Sequence, residues 1–375
     1  MDYDVTPAEK ALLFALKENL KDVEGAKVLV AGNRSGHLPC ALAEAGAKVT
    51  AHIFDCYYAR AMRVRMRALG LDADSMICCS DQIPPGPYVR AYFMTTPLSM
   101  TGELVLDQLE DIRANLTLGG ELFAAFEGDS DEALKTMKKV FAKVHVVAVA
   151  QNRKRRRNGG RRTKTVALFS TVKGERDAAA QRRNFSAEWT ASVPGGEART
   201  FTSLPGCFCH RRADIGGLAL AETACLSISG LKDVKVLDMG CGCGFVGLLV
   251  ADHLRSHGIP VHLTLLDSHA RALAAARINA ESLGFTDADF ILSFDGLPPD
   301  NPANYDIFLG NPPYYGDWKI AETFVKTAFG ALRGGGRCLT VAKNEGGLGE
   351  LQANAFGKVD ILRRRGYCVF SSIRP

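Results

Sequence analysis

Short apolar segments alternate with segments of helical periodicity along the first half of the chain. The apolar segment Lys27–Ala31 leads into a glycine-containing turn at 32–36, and a helical pattern then runs through Ala45. A second apolar segment covers Lys48–Phe54, and a later one covers Glu121–Phe126. Strands that alternate with helices in this way predict a mostly parallel sheet joined by right-handed crossovers.

The same order of segments recurs in the second half of the chain. Lys235–Met239 is the strand, Gly240–Gly244 is the turn, and Val261–Leu266 is the next strand, which leads to Asp267. A later apolar strand, Asp306–Gly310, also has a counterpart in the first half. The repeat predicts the fold class: α/β, with two tandem Rossmann-like domains that each contain a doubly wound, mostly parallel sheet.

The two halves differ at the positions where a ligand would bind. We take Ala31 as the residue that replaces Asp238 in the first half, and the first turn reads Gly-Asn-Arg-Ser-Gly, without a glycine at every second position. The segment Asn311–Tyr314 corresponds to Thr95–Leu98, which has neither the amide nor the aromatic ring. We interpret the first half as a catalytically silent duplicate of the second.

These differences, and the composition of the segment between the halves, set the predicted domain boundaries. We assign residues 1–174 to the degenerate domain and residues 205–375 to the catalytic domain. Residues 175–204 are polar and include Pro194-Gly195-Gly196. We therefore interpret them as a linker with some structure of its own.

Composition places the chain among folded soluble proteins. Of its 375 residues, 47% are hydrophobic and 23% are charged. No apolar run reaches the roughly 18 residues that a membrane helix needs, so we expect no membrane association. The acidic N-terminus lacks the order of a signal peptide, which predicts a cytoplasmic protein.

The cysteines do not predict a metal site. None of the 11 cysteines forms the C-x2-C pair that opens a zinc site, and several lie in apolar segments. We expect reduced, mostly buried thiols and no bound metal.

The net charge of +5 is modest, but the basic residues are concentrated. One stretch, which we call the basic run, consists of Arg153, Lys154, Arg155, Arg156, Arg157, Arg161, Arg162 and Lys164. Arg211 and Arg212 follow at the start of the second domain. Such a run is typical either of a solvated loop or of a polyanion-binding surface. We favour nucleic acid, because each neutralised phosphate releases counterions.

The turn after the strand Lys235–Met239 has the composition of a ligand-binding loop. Gly240, Gly242 and Gly244 let the backbone approach a ligand at the carboxyl end of the sheet, where open α/β sheets bind. A dinucleotide fold uses a related pattern, but here the glycines are not spaced for a pyrophosphate. Asp238 precedes them, and a carboxylate there favours a cationic ligand such as a sulfonium-bearing amino acid.

Two further carboxylates follow the next strands. Asp267 can accept hydrogen bonds from both hydroxyls of a ribose, a function shared by nicotinamide and adenosyl ligands. Asp295 follows the apolar segment Phe290–Ser293 and can reach an adenine amine, although Asp295-Gly296 is also an ordinary turn sequence.

The segment Asn311-Pro312-Pro313-Tyr314 follows a strand and therefore also lies at the carboxyl edge of the predicted sheet. The prolines fix the backbone. The Asn311 side chain and the Pro312 carbonyl offer two acceptors for the hydrogens of a planar exocyclic amine. Tyr314 provides a flat surface for a base. Positioning and electrostatics then suffice for in-line methyl transfer, so we assign Asn311, Pro312 and Tyr314 to catalysis.

On these motifs the chain resembles the two-domain rRNA guanine-N2 methyltransferases, over most of its length. The resemblance includes the degenerate first domain and the segment 205–217, which reads PGCFCHRRADIGG. It implies an enzyme that uses S-adenosylmethionine and acts on ribosomal RNA or a ribosomal subunit. It implies that Asp214 closes over the methionine part of the cofactor, and that Asp238, Gly240, Gly242, Gly244, Asp267 and Asp295 hold the rest.

The chain departs from this family where Tyr314-Tyr315 replaces the usual phenylalanine and histidine. The Asn-Pro-Pro-Tyr form also occurs in adenine and protein-glutamine methyltransferases. Adenine in nucleic acid and a glutamine amide therefore remain alternative targets to guanine N2. A third hypothesis is a non-catalytic RNA-binding assembly factor, which the intact set of Asp238, Asp267 and Asn311 argues against.

Overall fold

The computed structural model describes residues 5–18, 23–32, 34–95, 102–155, 161–227, 232–297, 304–313 and 318–375, with the backbone alone at 151–164. The chain divides into two compact units, residues 1–185 and 186–375. None of the described helices is long and apolar enough to cross a membrane.

The first unit is one seven-stranded sheet flanked by helices. Its strands lie in the order β3-β2-β1-β4-β5-β7-β6. The elements are α1 (Pro7–Glu18), β1 (Lys27–Ala31), α2 (His37–Glu44), β2 (Lys48–Ile53), α3 (Cys56–Ala68), α4 (Ala73–Met76), β3 (Ile77–Cys79), β4 (Tyr88–Thr95), α5 (Gly102–Asn115), β5 (Leu116–Glu127), α6 (Ser130–Lys138), β6 (His145–Arg155), β7 (Arg161–Val172) and α7 (Glu175–Ala179).

The second unit has the same strand order in its own seven-stranded sheet, β12-β11-β10-β13-β14-β16-β15. A two-stranded hairpin precedes it. The elements are β8 (Ala187–Ala191), β9 (Arg199–Ser203), α8 (Ile215–Ser227), β10 (Val234–Met239), α9 (Phe245–Ser256), β11 (Val261–Asp267), α10 (Ala270–Ser282), β12 (Asp289–Leu292), β13 (Tyr305–Gly310), α11 (Trp318–Ala331), β14 (Leu332–Ala342), α12 (Leu348–Phe356), β15 (Asp360–Arg364) and β16 (Tyr367–Ile373).

Each sheet is parallel over its first five positions and closes with antiparallel strands. In the second unit, β10 pairs in parallel with both β11 and β13, whereas β16 is antiparallel to β14 and β15. Helices cover both faces of the parallel strands, so strands such as β13 are buried at every residue. The prediction of two tandem doubly wound domains is confirmed.

Sheet register corrects the alignment of the two halves by one residue. Val30 and Asp238 occupy the same place, since each pairs with the equivalent residues of both neighbouring strands. By the same comparison of registers, Ile53 of the first unit is equivalent to Asp267 of the second. Met94 is equivalent to Asn311, the residue after β13. The predicted matches of Ala31 with Asp238 and of Thr95 with Asn311 were therefore wrong.

The boundary between the units falls at Phe185 and Ser186, inside the segment 175–204 for which the sequence predicts a linker. Residues before the boundary are held by the first unit, where Arg182 and Arg183 pair with the buried carboxylates of Asp107 and Glu110. Residues after it form the hairpin of β8 and β9, which belongs to the second unit.

Candidate active site

The ends of β10, β11 and β13 bring the predicted site residues of the second unit to one edge of its sheet. Asp238 lies near the end of β10, Asp267 ends β11, and Asn311 directly follows β13. Because β10 pairs with both other strands, their carboxyl ends are neighbours. Asp238, Asp267 and Asn311 thus lie together at the edge of the sheet where this class of fold binds ligands.

The loop after β10 is shaped by glycines with left-handed backbone conformations. Gly240, Gly242 and Gly244 have φ values of 67°, 57° and 81°. A Cβ atom on Gly240 would lie 2.7 Å from the ring of Phe324, so no side chain fits there. Gly244 is the N-cap of α9, and the loop therefore leads directly into a helix N-terminus. A Cβ atom on Gly242 would meet nothing within 4 Å, so the backbone is open to a ligand there. The N–H groups of Gly240, Gly242 and Gly244 themselves donate within the protein.

Asp238 is fully buried beneath this loop. Its Oδ2 accepts a hydrogen bond of 2.8 Å from the backbone N–H of Gly247, in the first turn of α9. Burial raises the pKa of Asp238 to about 7, opposed by the Gly247 hydrogen bond and increased further by the Asp267 charge. Asp238 therefore joins the end of β10 to the first turn of α9.

Asp267 is half-buried and braces the same loop from the next strand. Its Oδ2 accepts a 2.9 Å hydrogen bond from the N–H of Gly242, and its Oδ1 accepts one of 2.9 Å from the N–H of His269. Asp295 is different: it is exposed beyond β12, where Oδ1 accepts a 3.1 Å bond from the Ser293 hydroxyl. Of these two carboxylates, only Asp267 contacts the glycine loop in the described structure.

Asn311 is held by Asp214. The Asn311 Nδ2 donates a 2.8 Å hydrogen bond to Asp214 Oδ2. A carboxylate only accepts hydrogen bonds, so the amide nitrogen must face it and Oδ1 is left as an acceptor. Pro312 is buried behind Asn311 and Pro313 is exposed. Tyr314, the third residue assigned to catalysis, lies outside the described residues.

Asp214 itself is fixed at the start of α8. The Asp214 Oδ2 that binds Asn311 also accepts a 2.6 Å hydrogen bond from the N–H of Gly217. The Asp214 side chain therefore caps the N-terminus of α8. Cβ atoms on Gly216 and Gly217 would lie 3.0 Å from Tyr367 and 2.7 Å from Phe245. The Gly-Gly pair therefore lets aromatic rings of β16 and α9 approach both sides of the first turn of α8.

Asn279 is a site-supporting residue that the sequence analysis missed. It is buried on α10, where its Oδ1 accepts from the N–H of Thr202 at 2.7 Å and its Nδ2 donates to the Thr202 carbonyl at 2.8 Å. The same Nδ2 donates to the carbonyl of Cys243 at 2.8 Å. Asn279 thus ties the β8–β9 hairpin to the glycine loop. No local pattern marks this role, because its partners are distant in sequence.

The described part of the basic run lies on two paired antiparallel strands. Lys154 is opposite Arg162 and Arg155 is opposite Arg161 across β6 and β7. Arg156 and Arg157 lie outside the described residues. Arg211 and Arg212 are exposed in the segment just before Asp214.

The thiols near the site are buried. Cys207, Cys241 and Cys243 are each less than a tenth exposed. Burial raises the pKa of the Cys207 thiol to about 11 and that of Cys243 to about 12. Among the described residues, no group of three or more histidine, cysteine, aspartate or glutamate side chains is arranged to hold a metal.

Comparison with known proteins agrees with this site. Residues 198–371 match the family model of the Methyltransferase small domain. The matched segment includes the glycine loop, Asp214 and Asn311, and the match agrees with the resemblance drawn from the sequence.

Two curated relatives differ in how much of this chain they match. Ribosomal RNA small subunit methyltransferase C of Pseudomonas entomophila is 34% identical over 41% of this chain and 48% of its own length. Ribosomal RNA large subunit methyltransferase G of Streptomyces griseus is 27% identical over 84% of this chain and 78% of its own. The chain spans about half the length of the first curated relatives it matches.

A solved structure shows the same fold over both units. The T. thermophilus 16S rRNA N2 G1207 methyltransferase, solved with AdoMet and guanosine, aligns with a TM-score of 0.73. The alignment covers 96% of this chain and 92% of that one at 20% identity. A tandem of two such α/β units is therefore a known architecture.

Proposed function

We propose that the chain transfers a methyl group from S-adenosylmethionine to the exocyclic N2 amine of a guanine in ribosomal RNA. The observation that carries this proposal is the Asn311 amide, whose nitrogen is bound to Asp214 so that its oxygen is left to accept. It lies one strand away from the glycine loop and Asp238. An amine held by this oxygen would face a ligand held by that loop.

The residues of the loop fit the proposed cofactor. The left-handed glycines leave room for the amino-acid part close to the backbone. Asp267 lies at the end of its strand, where a carboxylate can accept hydrogen bonds from the ribose hydroxyls. Bound there, S-adenosylmethionine would supply an electrophilic methyl group on a positively charged sulfur. The half-buried carboxylate of Asp267 favours a cation at this edge.

The protein's part in the reaction is orientation. Asn311 Oδ1 and the Pro312 carbonyl accept the two hydrogens of the target amine, which fixes the plane of the base. Asp214 keeps the Asn311 amide from rotating. Placing the reacting atoms in line in this way removes the entropic cost of a bimolecular encounter. Tyr314 is proposed as the surface on which the base stacks.

The first unit is proposed as an RNA-binding platform without a cofactor of its own. The positions of Asp238, Asp267 and Asn311 are occupied there by Val30, Ile53 and Met94, which are all buried. The basic run belongs to this unit, where the backbone register of β6 and β7 pairs basic residues with each other, Lys154 with Arg162 and Arg155 with Arg161. Such pairs are unfavourable in isolation and are relieved by a polyanion.

The hydrogen bond of the first-unit loop is also rearranged. Pro39 of the first unit stands at the position of Gly247, whose N–H donates to Asp238 in the second unit. Proline has no N–H, so the first unit needs no carboxylate at the position of Asp238. The N–H of Leu38 instead donates to the buried Glu9 of α1 at 3.0 Å. A carboxylate from α1 therefore contacts the start of α2 in this unit, beside the degenerate loop.

We also propose a cytoplasmic location, where ribosomal RNA is available. The proposed methyl transfer is tested on rRNA from a strain that lacks the chain. Nucleoside mass spectrometry should show one N2-methylguanosine missing, restored by the wild-type chain and not by Asn311→Ala. Incubation of the lysate with methyl-labelled cofactor and purified chain should label rRNA. Label in adenine or in a protein would instead support the alternative targets, and full restoration by Asn311→Ala would show that the chain acts without methyl transfer.

A further inference from the structure

A second group of side chains lies beside the Asn311–Asp214 pair and takes no part in the site described so far. It is formed by the start of α11, the loop from β14 to α12, and the turn between β15 and β16. We call it the β14–β16 rim, and its members are Trp318, Lys343, Arg364, Arg365 and Tyr367.

The rim is joined to the site by a continuous series of contacts. The ring of Tyr367 packs on Gly216, two residues from Asp214. The ammonium group of Lys343 lies 4.3 Å from the centre of the Tyr367 ring. Tyr367 therefore connects the rim, through Gly216, to the helix start where Asp214 binds Asn311.

The rim carries more positive than negative charge. Lys343 is exposed, and no carboxylate lies within salt-bridge distance of it among the described residues. Arg364 and Arg365 share a single buried carboxylate, that of Glu222 on α8. Glu345 of the same loop pairs with Arg363, so Lys343, Arg364 and Arg365 have one paired carboxylate among them. All three cations are at least about a third exposed.

Arg365 is held in an unusual backbone conformation. Its φ is 51°, which side-chain-bearing residues rarely adopt, in the tight turn that joins β15 to β16. Its Nε and Nη2 donate to Glu222 Oε1 at 2.9 and 2.7 Å. This pair fixes the guanidinium, and its Nη1 has no acceptor within the described part of the chain.

An exposed aromatic ring completes the rim. Trp318 is 48% exposed at the first position of α11. Its ring covers Gly347, since a Cβ atom there would lie 2.0 Å from the Trp318 Cη2. Gly347 closes the same loop that Lys343 opens. An apolar ring of this size at a cationic surface is typical of proteins that bind single-stranded nucleic acid by stacking.

We propose that the β14–β16 rim binds the single-stranded nucleotides that flank the target base, with Lys343 and Arg365 contacting phosphates and Trp318 stacking on a base. This inference rests on the proposed function, because the target base must leave its stack to reach Asn311. Its neighbours then have free faces and a charged backbone close to the rim. A duplex would present phosphates to the cations but no base face to Trp318.

The rim is tested by fluorescence anisotropy with a labelled single-stranded RNA of about eight nucleotides containing one guanine. The background is the full chain with Arg161, Arg162 and Lys164 replaced by glutamine, which weakens competing binding by the first unit. Lys343→Ala should weaken binding about threefold to tenfold and lower the slope of log Kd against log salt by about 0.7. Trp318→Ala should weaken binding about tenfold without changing that slope, and Trp318→Phe should restore most of the affinity.

The matched control is Lys358→Ala. Lys358 is also a highly exposed lysine, but it lies before the opposite end of β15 and pairs with Asp360. It should leave affinity and slope unchanged. Unaltered binding by Lys343→Ala, or equal affinity for the same sequence as a blunt duplex, would overturn the proposal. Because anisotropy needs no methyl transfer, an inactive chain whose binding still depends on Lys343 and Trp318 would refute the proposed function and leave the rim in place.

Discussion

Asn311 and Asp214 are 97 positions apart in the chain, yet their side chains form a hydrogen bond of 2.8 Å. The oxygen that accepts it also accepts the N–H of Gly217 at 2.6 Å. One carboxylate oxygen therefore fixes both the start of α8 and the rotation of the Asn311 amide. The orientation of the proposed catalytic acceptor depends on a residue that the sequence assigns to the cofactor.

The first prediction separates these two roles of Asp214. Asp214→Ala should lower the kcat for methyl transfer about a hundredfold, because the Asn311 amide is then free to rotate. The affinity for S-adenosylmethionine should change by less than about threefold if the carboxylate acts on Asn311. Single-turnover kinetics and calorimetric titration of the cofactor measure the two quantities.

The conservative variant provides the control for that prediction. Asp214→Asn places an amide oxygen where Oδ2 lies, and that oxygen can accept from both Gly217 and Asn311. It should recover most of the kcat, whereas Asn311→Ala should not exceed the activity of Asp214→Ala. Loss of cofactor affinity in Asp214→Ala with kcat unchanged would show that Asp214 serves the cofactor instead.

The architecture could be predicted from the sequence because its signals are local. Apolar runs, glycine turns and their repetition specify two parallel sheets without any knowledge of contacts. The alignment of the halves was wrong by one residue, although the sequence contains the correct match. Matching Lys27-Val28-Leu29 to Lys235-Val236-Leu237 places Val30 at Asp238, and the strand pairing gives the same match.

The supporting contacts could not be predicted, since they join distant segments. The carboxylate of Asp238 was expected to face a cationic ligand, whereas the structure shows it accepting a helix N–H. The segment 187–203 was expected to be part of a linker. No residue pattern within it indicates that Asn279 binds Thr202. Its polarity and glycines are those of a linker and of an exposed hairpin alike.

A second prediction concerns the pH dependence of stability. Asp238 has a pKa of about 7 in the folded chain, chiefly because burial disfavours its charge, against an ordinary value of 3.8. Between about pH 4 and pH 7 the folded state keeps a proton that the unfolded state releases, so the free energy of unfolding falls as pH rises. Asp238→Asn retains an acceptor for Gly247 without the charge. It should match the wild type at pH 4 and exceed it by up to about 4 kcal/mol at pH 8.

Urea unfolding of the second unit at both pH values measures this difference. The control is Asp289→Asn, which neutralises an exposed carboxylate at the start of β12 and should change stability by less than about 0.5 kcal/mol at either pH. A gain in the Asp238→Asn variant that is the same at pH 4 and pH 8 would contradict the titration of Asp238 as its cause.

A third prediction concerns Asn279. Asn279→Ala removes three hydrogen bonds at a buried position and leaves the N–H of Thr202 without its acceptor. The free energy of unfolding should fall by about 2–4 kcal/mol, and amide exchange should accelerate in β9 and in the glycine loop. Faster exchange limited to β9, with the amides around Cys243 unaffected, would show that the hairpin is not coupled to the loop.

The last prediction compares two glycines in helices. Alanine usually stabilises a helix interior by about 0.5–1 kcal/mol relative to glycine, and Gly330 of α11 has nothing within 4 Å of a built Cβ, so Gly330→Ala should stabilise the chain by that amount. Gly217→Ala places a methyl group 2.7 Å from the ring of Phe245 and should cost about 1–3 kcal/mol despite the same helix preference. Because Gly217 also donates to the oxygen that holds Asn311, Gly217→Ala should lower kcat as well. Thermal unfolding and methyl-transfer rates measure both effects, and a Gly217→Ala chain as stable and active as Gly330→Ala would show that the first turn of α8 can move without disturbing the site.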